Sequence, residues 1–253
     1  MNLVFASGFL LPQQLPGIDY FRGLEAHIGN RHQTVFPHVP PLGGCADRAL
    51  MLADKIQQRF PNGPIHIIAH SMAGLDSRFL IGNNLNGLAT PGRIASLTTL
   101  ATPHLGSPAA DLVVGPEPTD ERRSIYQAIM LALQQLDIRT GALADLTKKG
   151  AKQVPDAAKI FPHIRYRSYA ATGRPRPRPP TSFPLAVTHQ YVHLMTGEEN
   201  DGVVALSSAR YGDFQDPPWQ GDHLDMVGHN LDLFPLGFHF NHFAAIDDII
   251  DRL

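Results

Sequence analysis

A short apolar run, Leu3-Val4-Phe5-Ala6, gives way to Ser7-Gly8-Phe9-Leu10, the pattern of a buried strand that leaves through a glycine turn. Thr34-Val35-Phe36 repeats the pattern before the proline-rich stretch 37–41. The period then changes. Cys45, Ala49, Leu52, Ala53, Ile56 and Phe60 recur at helical spacing with Asp47, Arg48, Asp54, Lys55, Gln57 and Gln58 between them, which predicts an amphipathic helix laid on a sheet. Pro61-Asn62-Gly63-Pro64 stops that helix. A third apolar run, Ile65, Ile67, Ile68 and Ala69, passes into a helical pattern reaching Ile81 with no loop between, and 94–101 is the next strand candidate. After an interruption at 111–160 the strand rhythm resumes at 164–171, and a turn signature, Asn200-Asp201-Gly202, precedes the apolar run 203–206. Phe243, Ile246, Ile249, Ile250 and Leu253 share one face of a final helix packed on the sheet. This alternation predicts an α/β fold with a mainly parallel sheet and right-handed crossovers. In such sheets sites lie at the carboxyl ends of the strands, where Phe9, Ser71 and Thr102 fall.

Composition narrows the function without choosing it. With 253 residues, 43% of them hydrophobic, the chain can bury one large core, and nothing in it forces a second domain. A net charge of −2 argues against nucleic acid as a partner, since a nucleic-acid footprint is an excess of Lys and Arg. The single cysteine, Cys45, excludes an intrachain disulfide. No stretch approaches the roughly 20 consecutive apolar residues of a membrane span. The start MNLVFASGF lacks the basic and apolar regions of a signal peptide, so the expectation leans to the cytoplasm over export. The 22 prolines and 22 glycines fit strands and helices joined by many turns.

The stretch 65–81 carries the chemistry. Between strand and helix stands Ala69-His70-Ser71-Met72-Ala73-Gly74, whose small residues allow a strand and a helix to cross closely. A serine on so tight a bend has an exposed hydroxyl, with the N–H groups of the following helix aimed at whatever it attacks. A hydroxyl is a poor nucleophile at neutral pH, so it needs a histidine to take its proton and a carboxylate to orient that histidine. Among 13 histidines, His223 lies in a polar, loop-like stretch after the last strand candidate; His229, His239 and His242 are its rivals. Asp201, in its turn signature, is set against Asp213, Asp216 and Asp222. Spacing alone leaves a plain turn aspartate open. His70 belongs to the elbow pattern and reads as structural, not as a proton carrier.

His70-Ser71-Met72-Ala73-Gly74, Thr102-Pro103-His104-Leu105-Gly106-Ser107, Asn200-Asp201-Gly202-Val203-Val204 and Asp222-His223-Leu224-Asp225 occur in this order. Together they resemble the bacterial triacylglycerol lipases of the α/β-hydrolase superfamily, of the pseudomonad and burkholderial type, from about Leu3 to the C-terminus. The resemblance implies an α/β-hydrolase fold and a triad of Ser71, Asp201 and His223, in the chain order serine, acid, histidine. It also implies an oxyanion hole made by the N–H groups of Phe9 and Met72. Ser7 stands where these lipases carry a histidine, which removes a side chain that would help hold the loop. Related lipases hold a structural Ca²⁺ near the catalytic histidine, and Asp225 matches one of its carboxylate ligands. However, 172–181 contains no acidic residue to supply another, and His229 stands where a glutamine is usual. A hard cation wants several oxygen ligands, so tight Ca²⁺ binding is disfavoured and the chemistry requires no cofactor.

Two further stretches bear on substrate. Within 111–160, Ile125, Ile129, Ala132 and Leu136 form one apolar stripe and Tyr126, Met130 and Leu133 a second. That is more apolar width than one core contact needs; it reads either as a helix wedged between neighbours or as a lid that turns its apolar face to a lipid–water interface. The basic, proline-rich run Arg174-Pro175-Arg176-Pro177-Arg178-Pro179-Pro180 reads as an extended, solvated loop that could contact an anionic interface. The expected activity is hydrolysis of carboxylic esters, with acyl-chain lipids as substrate class. An esterase, an acyltransferase or a polyester depolymerase on the same triad are the alternatives. So is a non-catalytic binding module on a hydrolase scaffold.

Overall fold

The computed structural model describes residues 1–9, 19–40, 43–135, 140–175, 178–231 and 239–253. In chain order the strands and helices are β1 (Asn2–Ala6), α1 (Leu24–Ile28), β2 (Gln33–Val35), α2 (Cys45–Arg59), β3 (Ile65–His70), α3 (Met72–Gly82) and β4 (Ile94–Leu100). They continue with α4 (Pro108–Val114), α5 (Arg123–Gln135), α6 (Lys148–Ala151), α7 (Ala157–Ile160), β5 (Arg165–Tyr169), α8 (Ala186–Thr196), β6 (Asp213–Phe214) and α9 (His242–Asp251). The strands form one sheet in the order β2-β1-β3-β4-β5-β6. Every pairing in it is parallel.

Strand parity divides the core. Val4 and Ala6 of β1, Ile65, Ile67 and Ala69 of β3, and Leu97 of β4 face α2, α3 and α7 in one apolar cluster. Leu3, Phe5, Ile68 and Leu100 point the other way, onto α1 and α9. A strand covered on both faces loses the alternation of buried and exposed positions, and β3 is buried at every position from Ile65 to His70. A third cluster caps the carboxyl ends of the central strands: Phe9, Met72 and Leu75 pack there with Ala110, Val113, Leu143, Leu146, Ala151 and Val154. Among the described residues no helix is long and apolar enough to cross a membrane.

Two expectations change. Arg48, polar in the α2 pattern, is fully buried, for the reason given by its partners below. Over 203–206 the chain wraps around Asp201, with Asn200 and Ala205 bridging to each other. The last strand is β6, Asp213–Phe214. The proline-rich run does not stay in solvent throughout, because Arg174 is buried; residues 176–177 lie outside those described. In α5, Ile125, Tyr126, Ile129 and Met130 are half-buried and Leu131 is exposed. Leu136 lies outside the described residues.

Candidate active site

Ser71 stands between β3 and α3 with φ 58° and ψ −131°, a conformation L-residues rarely take. The neighbours hold it there. Its N–H donates to the Leu100 carbonyl at 2.9 Å, and its carbonyl accepts from the Thr102 hydroxyl at 2.8 Å. Close packing explains the small residues. A Cβ on Gly74 would lie 2.1 Å from Thr102 Oγ1. One on Gly8 would lie 2.7 Å from both the His70 carbonyl oxygen and the Ser71 Cβ. The loop that follows β1 is thus pressed directly against the bend.

The structure brings Ser71, His223 and Asp201 into one line. His223 Nδ1 lies 2.7 Å from Asp201 Oδ2, and Nε2 lies 2.9 Å from Ser71 Oγ. An ionised carboxylate only accepts, so Nδ1 carries the hydrogen and Nε2 is free to accept from the serine hydroxyl. The other oxygen, Asp201 Oδ1, accepts from the N–H groups of Val203 at 2.9 Å and Val204 at 2.7 Å. This is why 203–206 turns instead of pairing with the sheet: its first N–H groups are taken by the aspartate. His223 N–H also donates to the Asp201 carbonyl, at 2.9 Å. All three side chains are buried, Ser71 being 5% exposed.

His70, next to the serine, packs its ring against that of His223, centroids 4.6 Å apart, and fixes the backbone beneath it. Its Nε2 faces the His223 carbonyl at 3.0 Å and must donate; its Nδ1 therefore accepts from the Tyr20 hydroxyl at 2.7 Å. Burial, with His223 nearby, holds its pKa well below the usual histidine range, consistent with a permanently neutral ring. His104 is also buried, wedged between Arg78 Nη1 at 3.2 Å and Thr99 Oγ1 at 3.0 Å. The rival histidines are committed elsewhere: His229 Nε2 lies 2.9 Å from the Asp19 carbonyl, and His242 Nε2 lies 2.9 Å from that of Arg22. His239 is exposed. Of the rival carboxylates, Asp213 is exposed on β6, and Asp216 faces Arg210 at 3.8 Å.

The two oxyanion candidates share one apolar cluster. Met72 opens α3, so its N–H has no acceptor within the helix. Phe9 packs in one cluster with Met72 and Leu75. The loop carrying Phe9 is anchored by a residue the hydropathy pattern had assigned to a polar position. Arg48 sends Nη2 to the Ser7 carbonyl at 2.7 Å, Nη1 to the Pro40 carbonyl at 2.8 Å and Nε to Asp76 Oδ2 at 2.8 Å. Burial pushes Asp76 up to about 6, against the pull of the guanidinium. Removing one partner of such a buried pair leaves the other uncompensated. Arg48→Ala is expected to cost about 3–5 kcal/mol in urea unfolding and to lower kcat by loosening the Ser7 carbonyl; unchanged stability and turnover would refute the anchoring role.

Asp222 and Asp225 flank His223 and are both buried. Asp225 does not stand open toward a cation: it takes a forked pair from Arg174, Nε to Oδ2 at 2.7 Å and Nη2 to Oδ1 at 2.8 Å. Arg48, Asp76, Tyr20 and Arg174 were not identified from sequence as parts of the site. The signal available for Arg48 was its adjacency to apolar positions at helical spacing, and for Asp76 its place inside an otherwise apolar α3.

No family model matches the chain. Similar proteins are triacylglycerol lipase 2 of Saccharomyces cerevisiae, 28% identical over 218 residues that make up 83% of this chain and 62% of that one, and triacylglycerol lipase of Vibrio cholerae, 24% identical over 92% of this chain and 81% of that one. The chain thus spans about 62% of the yeast relative's length. Among solved structures, a metagenomic carboxyl esterase superposes with a TM-score of 0.74 at 18% identity, covering 100% of this chain and 75% of that one. The mature form of a Bacillus licheniformis lipase gives 0.64 at 21% identity, covering 89% of this chain and 86% of that one. The fold is that of the α/β-hydrolases.

Proposed function

We propose that this chain is a serine hydrolase that cleaves carboxylic esters, most readily those of acyl lipids. The observation that carries the reading is the hydrogen-bonded line Ser71–His223–Asp201 on a positive-φ bend at the end of a central strand. The lipase relatives support the substrate class. The finer affinity, to the pseudomonad and burkholderial type, rests on the order of the four motifs in the chain.

In this account Ser71 Oγ attacks the acyl carbonyl carbon while His223 Nε2 takes the hydroxyl proton. Asp201 holds the imidazole in the required tautomer and offsets the charge of the imidazolium. The negative charge on the carbonyl oxygen falls to the N–H groups of Phe9 and Met72, where one lost donor costs roughly 10²–10³ in turnover. Collapse of the tetrahedral species expels the alcohol, which leaves with the proton from His223, and the acyl group stays on Ser71. Water deprotonated by His223 then attacks the acyl-enzyme, and the carboxylic acid departs as Ser71 regains its proton.

A nucleophile only 5% exposed requires the site to open for a water-insoluble ester. The half-buried Ile129 and Met130 of α5 suit that task, since they rest on the cluster holding Phe9 and Met72. Leu131 is 56% exposed on the same helix. In this reading α5 is a lid that exchanges its seat on that cluster for a lipid surface. Hydrolysis of a soluble short-chain ester and of an emulsified triacylglycerol tests it. Turnover is expected on both, rising sharply once the emulsion forms. Activity confined to the soluble ester would make the protein an esterase and α5 a fixed part of the core, and a product formed with an added alcohol in preference to water would make it an acyltransferase.

A further inference from the structure

The cation site that the resemblance implies beside His223 can be tested on the chemistry of its donors. Calcium takes six to eight oxygen ligands, yet the carboxylate oxygens of Asp222 and Asp225 are already engaged. Asp222 Oδ1 accepts from the N–H groups of Leu224 and Asp225, each at 2.9 Å. Asp222 Oδ2 accepts from the Ser182 N–H and hydroxyl, each at 2.7 Å, with Arg174 Nη2 at 3.2 Å. Asp225 Oδ2 accepts from Arg174 Nε at 2.7 Å and from the Asp222 N–H at 2.9 Å. Asp225 Oδ1 takes Arg174 Nη2 at 2.8 Å. The donors are a guanidinium, main-chain amides and one hydroxyl, so the residues present do not fit a divalent metal.

We infer that Arg174 is the built-in cation of the His223 loop: its guanidinium, forked across Asp225 and reaching Asp222, ties together the two carboxylates that flank His223 and so positions the imidazole without a metal ion. The inference rests on the ester-hydrolase reading for the work His223 does. Asp222 and Asp225 fold 222–225 into a tight turn through the main-chain bonds just given. Outside that turn, His223 is held through its backbone by Asp201 and His70. Arg174, together with Ser182, links the turn to the segment that follows β5. Its own backbone is fixed there, its N–H donating to the Pro180 carbonyl at 2.7 Å while the preceding Gly173 N–H donates to the Gly221 carbonyl at 2.9 Å. The side chain is 2% exposed, so the ion pair is removed from water, where a forked geometry counts most. Without it, two buried carboxylates share a turn with no counter-charge from this arginine.

The test combines melting with kinetics on the full chain. The melting temperature of the wild-type protein is expected to be the same in excess EDTA and in excess calcium chloride. Loss of stability in EDTA that calcium restores would overturn the inference. Arg174→Ala is expected to melt lower in both conditions and to lose more than about tenfold in kcat at little change in KM, the split of a misplaced catalytic group and not of a lost substrate contact. Arg174→Lys keeps the charge without the fork and should recover part of kcat. Full kcat in Arg174→Ala, or a matched rise in KM, would overturn the positioning role. Should Arg174→Ala fail to fold, Arg174→Lys and the wild-type melts decide. The melts need no substrate, so failure of the hydrolase reading would show separately, as wild-type protein silent on every ester.

Discussion

Ser71→Ala leaves a folded protein whose turnover on any ester falls by on the order of 10⁴–10⁶. The fold survives because the hydroxyl makes no capping bond to α3, and the strain of φ 58° is the same for either side chain. Thr102 still binds the residue-71 carbonyl, and the Leu100 carbonyl still accepts its N–H. Only the nucleophile is lost. Thermal melting and kcat/KM measured on one preparation check the prediction: a normal melt with residual turnover near the uncatalysed rate is expected, and retained turnover would place the nucleophile elsewhere.

Asp201→Asn is the second large effect and isolates the role of charge. The carboxamide has nearly the same shape, and its oxygen can still accept from Val203 and Val204 N–H. Its NH₂ then faces His223 Nδ1 and donates to it. That forces the hydrogen onto Nε2, which points at Ser71 and can no longer take its proton. A loss of about 10⁴ in kcat is expected with the turn at 200–205 intact. An activity within tenfold of wild type, by the same assay, would reduce Asp201 to the plain turn residue that spacing alone allows.

What the sequence showed and what it concealed separate along a physical line. Strands buried on both faces and helices of regular period declare themselves through apolar spacing, so β1, β3, β4, α2 and α3 fall where the pattern places them. The bend at Ser71 was legible because a strand and a helix with no loop between them leave only small residues at the crossing. Asp201 and His223 were legible as turn and loop residues, and it is the fold that brings them within 2.7 Å. Residues that act through burial of charge were not legible. Arg48 and Arg174 read as solvent residues because a charged side chain is ordinarily exposed; only their partners, Asp76 in one case and Asp222 with Asp225 in the other, explain their burial. The way 203–206 folds was not legible either, since the Asp201 carboxylate takes the first N–H groups of that run.

The central claim is that Ser71 is a nucleophile activated by His223, and labelling with a serine-directed phosphonate followed by peptide mapping tests it most directly. The account predicts one equivalent of label on Ser71 in the wild-type protein and almost none in His223→Ala over the same time. Label on another residue, or labelling of Ser71 at an undiminished rate in His223→Ala, would contradict it.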